Sequence, residues 1–412
     1  MTLEGVHPSV SALYLMHLIS CALRGLAPQT LPDGVTWDEV FSLARRNSVE
    51  ATCAFAVASA PDVGDEERGR WHESVDANLM RHAVFGMERE STFQQMDAAG
   101  IAHLPLKGVV MASAYPRPEM RWMCDNDILF GRVRELPSGG YCAVEEEAAA
   151  RELRGIMEGL GYKTDHFGQG NHDSYLKAPF LNMEMHRMLA NPEVSWWEYY
   201  QNPWLHARCT DGGAGTGGSF EFSREDSYIF HIAHMYKHFS NSGHGVRGIA
   251  DEWVLVQAWG SDMDWGYIGR ELGKLGMAEF EASLRQLAGD VVGADACGRM
   301  LDGSCGEGGL SAAEAEMLCY MLGSGTYGTV KNEVKNNLRR EATRGDARHA
   351  RARYAFRRLF PSRSKLEQGY PILKRHPWLV PGVYVYRLVV KPFTRTRRLR
   401  EEIAVLAHGS EE

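Results

Sequence analysis

Two carboxylates stand two residues apart at Asp125 and Asp127, directly ahead of the apolar run Ile128-Leu129-Phe130. Along a strand, side chains alternate faces, so this spacing projects both aspartates to one side and turns Asn126 to the other. Two like charges held about 6 to 7 Å apart on one face repel unless a cation sits between them or water separates them. The apolar run anchors the strand in a core and leaves the acidic pair at its exposed end. A second strand-like stretch carries Asn182, Glu184 and His186 on one face and Met183 and Met185 on the other. Packing the two strands side by side would add Glu184 to the aspartates. A cluster of hard oxygen ligands suits Mg²⁺ or Mn²⁺, which can offset the charge of a triphosphate and activate an acceptor oxygen. The plainer alternative is a carboxylate pair at a solvated strand end, with Glu184 elsewhere.

Lys107 and Arg121 precede the acidic pair and are candidate contacts for the β and γ phosphates of an NTP. Lys107 adjoins Gly108 at a loop-to-helix junction, where backbone N–H groups can also receive a phosphate; the alternative is charge neutralisation of nearby Asp or Glu. His231, His234 and His238 fall near one helical stripe, with His244 following. Without a nearby Cys this stripe reads as a polar face lining a cleft rather than a zinc cluster, with Arg247 and Asp251 as an i,i+4 pair on the next helix. Two glycine-rich stretches are decoys. Gly212–Gly218 has no following Lys-Ser or Lys-Thr and so is no P-loop. The stretch from Gly323 to Val330 fits a kinase glycine loop but follows a helical segment, with no HRD or DFG motif after it, and reads as a loop between helices.

The elements that must position these residues follow from composition and punctuation. Residues 1–100 read as a helical region capping the catalytic unit, beginning with an amphipathic helix over Val10 to Leu23, an apolar stretch broken by the polar His17, and including a long segment from Trp71 to Ala99. Residues 101–210 form the core. A short helix runs from Gly108 to Tyr115, Pro116 and Pro118 break it, and Pro137-Ser138-Gly139-Gly140 turns the chain. A helix is expected from Ala143 to Leu160, then strands over Tyr162 to Phe167, Ser174 to Ala178 and Leu181 to Met188. This order implies an α+β core. Residues 219–343 read as a second helical domain, and 344–412 as a basic tail in which Pro371, Pro377 and Pro381 interrupt regular structure.

A chain of 412 residues is long enough for a substantial core, and its eight cysteines show no CxxC or finger spacing, which favours a reducing compartment and a cytoplasmic location. No apolar run is long enough to span a membrane, so integral membrane association is not expected. The charge is uneven. Residues 331–400 hold 20 Lys or Arg against 4 Asp or Glu, a balance of +16 in a chain of net −8, so the remainder carries −24. The basic region is expected to meet an acidic partner: nucleic acid, a membrane surface, or the rest of this protein. Trp378, Tyr384 and Tyr386 could stack on bases or lie in a core. The apolar run Leu379 to Val390 could lie on a membrane surface, although Pro381 and Gly382 weaken an uninterrupted amphipathic helix.

The strings LPLKG, YPRPEMRWMCDNDILF, NMEMHRML, HIAHMYKHF and VRGIADEW, with the terminal YPILKRHPWLVPGVYVYRLV, resemble the bacterial uncharacterised nucleotidyltransferase family of the polymerase-β-like superfamily. The resemblance touches residues 104 to 390 and is most specific between 104 and 190. It implies a polymerase-β-like nucleotidyltransferase core with a small mixed sheet, flanked by helical regions at both ends. It assigns Lys107 and Gly108 to the Lys-Gly element, Arg121 to the arginine, Asp125 and Asp127 to the metal pair, and Glu184 with His186 to the third strand. The chain departs from the superfamily in having Lys107-Gly108 where a Gly-Ser loop is usual, and Asn126 where a hydrophobic residue is common. The expected activity is Mg²⁺- or Mn²⁺-dependent transfer of a nucleoside monophosphate from an NTP to an unidentified acceptor, a small molecule, protein or RNA, with release of pyrophosphate. The competing readings are a phosphotransferase or nucleotide hydrolase using the same carboxylates, and a non-catalytic nucleic-acid-binding protein on a degenerate core.

Overall fold

Ser9 accepts a hydrogen bond from the Ala12 N–H and Gly25 closes the other end at φ 67°, which bounds the first apolar run as α1 (Val10–Arg24). The computed structural model describes residues 7–192, 194–210, 217–304, 309–370, 372–390, 398, 401–402 and 404–406. The expected amphipathic character of α1 is not found: every residue from Ser11 to Leu23 is buried. Helices from both halves of the chain surround it, among them α2 (Trp37–Asn47) and α3 (Glu50–Val57). His17, the polar residue within this apolar run, fastens the helix. Its Nε2 accepts from the Gln29 N–H at 2.9 Å, which leaves Nδ1–H to donate to Asp295 at 2.7 Å, across 278 residues of sequence.

The long segment after α3 is α4 (Asp65–Ala98), followed by β1 (Ala102–Pro105), α5 (Gly108–Ala112) and β2 (Asn126–Glu135). Then come β3 (Tyr141–Val144), α6 (Glu146–Gly159), β4 (Lys163–His166), β5 (His172–Lys177), β6 (Leu181–His186), β7 (Ala207–Cys209) and β8 (Gly218–Phe222). They form one mixed sheet in the order β4-β5-β6-β2-β1-β8-β7, with β3 paired to β2. The β2–β6 and β1–β8 pairs are parallel and the others antiparallel. The mixed sheet agrees with the α+β expectation but is larger than the small sheet anticipated.

Four strands, β1, β3, β7 and β8, were not anticipated, and two of them, β3 and β8, come from stretches read at least partly as helical. Ala143 and Val144 pair with Val133 and Arg132, so the helix expected from Ala143 begins only at Glu146; cross-strand pairing outweighs their local helix preference. Residues from 219, expected to open the second helical domain, belong instead to β8, which pairs with Ala102 and His103. Of the glycine-rich segment before it, residues 212–216 lie outside the described residues. A Cβ at Gly217 would stand 2.9 Å from the Gly100 backbone, so the close approach of these chains needs glycine.

Strand alternation sorts the sheet into two faces. Ile128, Phe130, Tyr175, Met183 and Met185 join Phe85 of α4 and Leu153 of α6 in one apolar cluster. The opposite face meets α7 (Arg224–Phe239) and α8 (Arg247–Trp259), followed by α9 (Trp265–Leu275), α10 (Ala278–Ala288), α11 (Ala296–Leu301), α12 (Ala312–Ser324) and α13 (Val330–Thr343). Residues of α1–α3, of the sheet and of α7–α12 share a single larger cluster, so the N-terminal helices and the second helical region pack against a common core. The stretch from Gly325 to Thr329 is a loop between α12 and α13, as expected.

The tail holds α14 (Ala350–Leu359), α15 (Arg363–Gly369), α16 (Ile372–Arg375) and α17 (Val380–Val389). Pro377 opens a 3-10 turn and Pro381 sits in the first turn of α17, where its missing N–H costs nothing; Pro371 lies outside the described residues. Part of the basic excess is met by α13 and by the tail itself. Arg344, Arg353 and Arg357 surround the buried Glu341, while Arg358 and Arg398 pair with Glu402. Trp378 is 73% exposed and is therefore not core. Among the described residues no helix is long and apolar enough to cross a membrane.

The His17 fastening generates a stability test. His17→Leu keeps bulk but leaves the Asp295 carboxylate and the Gln29 N–H without their partner, and should lower unfolding stability by about 2 kcal/mol in urea titration; an unchanged midpoint would remove the role given to His17.

Candidate active site

The parallel register of β2 and β6 sets Asp127 directly opposite Glu184, and Asp125 lies just ahead of β2. Asn126, on the other face, is buried: its Nδ2 donates to the Phe85 carbonyl at 3.1 Å and its Oδ1 accepts from Arg89 at 3.1 Å. The polar residue at this position is thus satisfied by α4.

Lys107 reaches the site from the turn between β1 and α5. Its Nζ lies 2.7 Å from Asp127 Oδ1. The backbone there takes φ 44° and ψ −108°, a conformation that a non-glycine residue adopts at a cost of about 1–3 kcal/mol. Two hydrogen bonds hold it: Leu106 N–H to the Asp127 carbonyl and Met111 N–H to the Lys107 carbonyl. Helix α5 spans only Gly108–Ala112, too short to concentrate much dipole at Gly108. His186 Nε2 meets the same Asp127 oxygen at 2.8 Å, and its Nδ1 faces Asn171 at 3.3 Å.

Arg121 is turned to a different task from the one its sequence position suggested. Its Nε donates to Asp251 Oδ1 at 2.7 Å and its Nη2 to Oδ2 at 3.0 Å, while Nη1 is directed to the Gly108 carbonyl at 3.4 Å. Tyr115 adds a third hydrogen bond to Asp251 at 2.8 Å. The i,i+4 partner expected for Asp251 was Arg247; the charge of Asp251 is instead satisfied by Arg121, because the buried pair approaches with matched fork geometry. This cluster joins the loop before β2 to α8.

Together these elements enclose a cavity of about 320 Å³, with Lys107, Arg121, Asp125, Asp127, Glu184 and His186 in its wall. The opposite wall comes from α7 and the start of α8: His231, His234, Lys237, His238, His244 and Arg247. A Cβ at Gly248 would stand 2.9 Å from His244 Nδ1 and 3.0 Å from Met235 Sδ, so this glycine permits the close seating of the wall. His172 of β5 also lines the cavity, across from His186. Tyr327, from the loop between α12 and α13, closes the rim with its hydroxyl 3.1 Å from Cys124 Sγ.

Charge is unequally matched within these walls. Burial and the neighbouring Asp127 push Asp125 up to about 6, and burial with Asp127 and Asp125 pushes Glu184 up to about 7. Asp127 behaves oppositely: against the desolvation of burial, the Lys107 ammonium and the His186 hydrogen bond hold it well below the usual carboxylate range. The three carboxylates therefore present a donor set with more negative charge than Lys107 offsets, and their oxygen chemistry fits a divalent cation. Burial, joined by nearby cations and imidazoles, pushes His231 and His244 down to about 4 and His172 and His238 down to about 3, leaving a polar but uncharged lining at neutral pH.

Sequence reasoning did not single out His172, Lys237 or Tyr327, and it treated Arg247 only as a partner for Asp251. Among the described residues Lys237 has no carboxylate within ion-pair distance, and the buried Arg247 Nε has no hydrogen-bond partner. The signal for Lys237 was its place within the HIAHMYKHF stripe, between His234 and His238.

Asp251→Asn tests the clamp. It strands the buried Arg121 charge and should cost about 3 kcal/mol at pH 7. Because the native Asp251 carboxyl is held below its ordinary range, chiefly by Arg121 against burial, the wild-type advantage is complete above about pH 4 and closes as pH falls further. Denaturant titrations of both proteins from pH 7 to pH 3 measure this; a pH-independent gap would contradict it.

The sequence model of a family described as uncharacterised nucleotidyltransferase matches residues 33–138 and 142–293. These stretches contain both walls of the cavity apart from the rim loop at Thr326 and Tyr327, and they stop short of the tail. No curated protein and no solved structure matches the chain. With more than half of its 412 residues matched, the chain belongs to the uncharacterised nucleotidyltransferase family.

Proposed function

We propose that the cavity transfers a nucleoside monophosphate from an NTP to an acceptor, releasing pyrophosphate, on a polymerase-β-like core formed by β1, β2 and β6. The observation that carries this reading is the pairing of Asp127 with Glu184 beside Asp125 at the wall of one cavity. Held by Asp125, Asp127 and Glu184, Mg²⁺ or Mn²⁺ would supply the positive charge that a triphosphate and its transition state demand. Lys107 binds and orients this end of the site by fixing Asp127 in its ionised form. Lys237 and Arg247, uncommitted to carboxylates, grip phosphate oxygens from the opposite wall. Arg121 acts at one remove, fixing α8 and hence Arg247 through Asp251. The neutral histidine wall and Tyr327 exclude bulk water and offer both donors and acceptors to the nucleobase or acceptor. A cytoplasmic setting, where NTPs are available, suits this chemistry.

Incubation with each NTP and Mg²⁺ or Mn²⁺ tests the reading through its products. Pyrophosphate supports nucleotidyl transfer; ADP or inorganic phosphate from ATP would replace it with phosphoryl transfer or hydrolysis. Asp127→Asn should lower metal-dependent turnover at least about 100-fold while the far-ultraviolet circular dichroism is preserved; retained turnover removes Asp127 from the chemistry. Lys237→Gln should raise KM for the nucleotide about ten- to a hundredfold with kcat little changed, the signature of a lost charge-assisted phosphate contact.

A further inference from the structure

The face of β5 and β6 that borders the cavity carries more than carboxylates. His172 stands opposite His186 in the antiparallel register, and Glu184 lies two residues before His186 on the same face. One ligand atom from each of these three residues falls within 4.8 Å of the others. Glu184 Oε2 is 3.6 Å from His172 Nε2 and 3.8 Å from His186 Nε2. Ligands bound tetrahedrally at about 2.0–2.1 Å lie about 3.4 Å apart, so these separations are close to those around a small cation. Asp127 Oδ1 lies 2.8 Å from His186 Nε2, a hydrogen bond that an ion bound at His186 would replace.

The chemistry of the donors distinguishes them from the aspartate pair. Mg²⁺ demands oxygen ligands and retains water, whereas imidazole nitrogen suits the borderline first-row ions. His186 is also held in place from its far side, where its Nδ1 faces the Asn171 side-chain nitrogen at 3.3 Å. The other candidate groups are placed differently. His17, Cys21 and Asp295 also gather three ligand atoms, but His17 fastens α1 there and none of the three lines the cavity. His234 and His238 bring two nitrogens to 3.2 Å but belong to no such three-ligand group among the described residues.

We infer that His172, Glu184 and His186 form a nitrogen–oxygen ion site that takes Zn²⁺, Co²⁺ or Mn²⁺ in preference to Mg²⁺, with Glu184 shared between it and the oxygen ligands Asp125 and Asp127. Two unlike ion sites then lie side by side in one cavity. This ion site deepens the nucleotidyl-transfer reading; metal loading and nucleotide turnover are measured separately, so either can fail alone.

Co²⁺ titration of the chelator-stripped full chain reads the site directly. About one equivalent should develop visible d–d absorption, and excess Mg²⁺ should not bleach it. His172→Ala and the more conservative His172→Asn should each weaken Co²⁺ binding at least about 100-fold with thermal unfolding unchanged. The His234→Ala/His238→Ala double variant should keep the bands. Bands that survive both His172 variants, disappear in the double variant, bleach with Mg²⁺, or include thiolate charge-transfer absorption would each overturn the assignment.

Discussion

Three carboxylates held at one partly buried end of a sheet repel one another more strongly than they would in water, and much of this molecule is arranged around that repulsion. The parallel pairing of β2 with β6 creates it by setting Asp127 against Glu184. Lys107 meets it first. A strained backbone at this residue persists because the turn is tied on both sides, to the Asp127 carbonyl and into α5, and the ammonium it presents pairs with Asp127. The carboxylates Lys107 does not pair with, Asp125 and Glu184, hold their protons toward neutrality, and the remaining negative charge is what makes the cavity receptive to cations.

A second balance keeps the opposite wall in place. The Arg121–Asp251 pair is buried and doubly hydrogen-bonded, and Tyr115 adds a further donor, so the cost of desolvating two charges is met by geometry. Through it the loop before β2 is locked to α8, which carries Arg247 and packs beside the histidines of α7. Burial and neighbouring cations keep those imidazoles neutral, so the wall remains polar without adding net charge. Among the described residues lining the cavity, the cations with no carboxylate ion pair are Lys237 and Arg247, the places from which an incoming anion can be reached.

The apolar half of the sheet has a different task. Ile128, Phe130, Met183 and Met185 bury the reverse face against α4 and α6, which fixes the register that aligns the acidic face. A one-residue slip would invert both faces at once, moving carboxylates into the apolar cluster. The basic tail, by contrast, meets some of its excess charge within the chain, through Glu341 of α13 and its own Glu402, so its composition alone overstated how much charge it offers to a partner.

Local periodicity was enough to read that Asp125 and Asp127 share a direction, that Glu184 and His186 share another, and that Met183 and Met185 point away, because strand alternation has a period of two regardless of context. Composition similarly showed most of α4, and proline punctuation bounded α5, although β3 and β8 were hidden because pairing, not propensity, makes them strands. Nothing local could reveal that Arg121 is matched to Asp251 across 130 residues, that His186 is bonded to Asp127 across 59, or that His172 and Lys237 enter the same cavity. The sequence by itself determined which side chains travel together on each element. Only the tertiary structure decided which charges face one another, because Coulomb and hydrogen-bond partners are chosen by distance in space rather than by spacing along the chain.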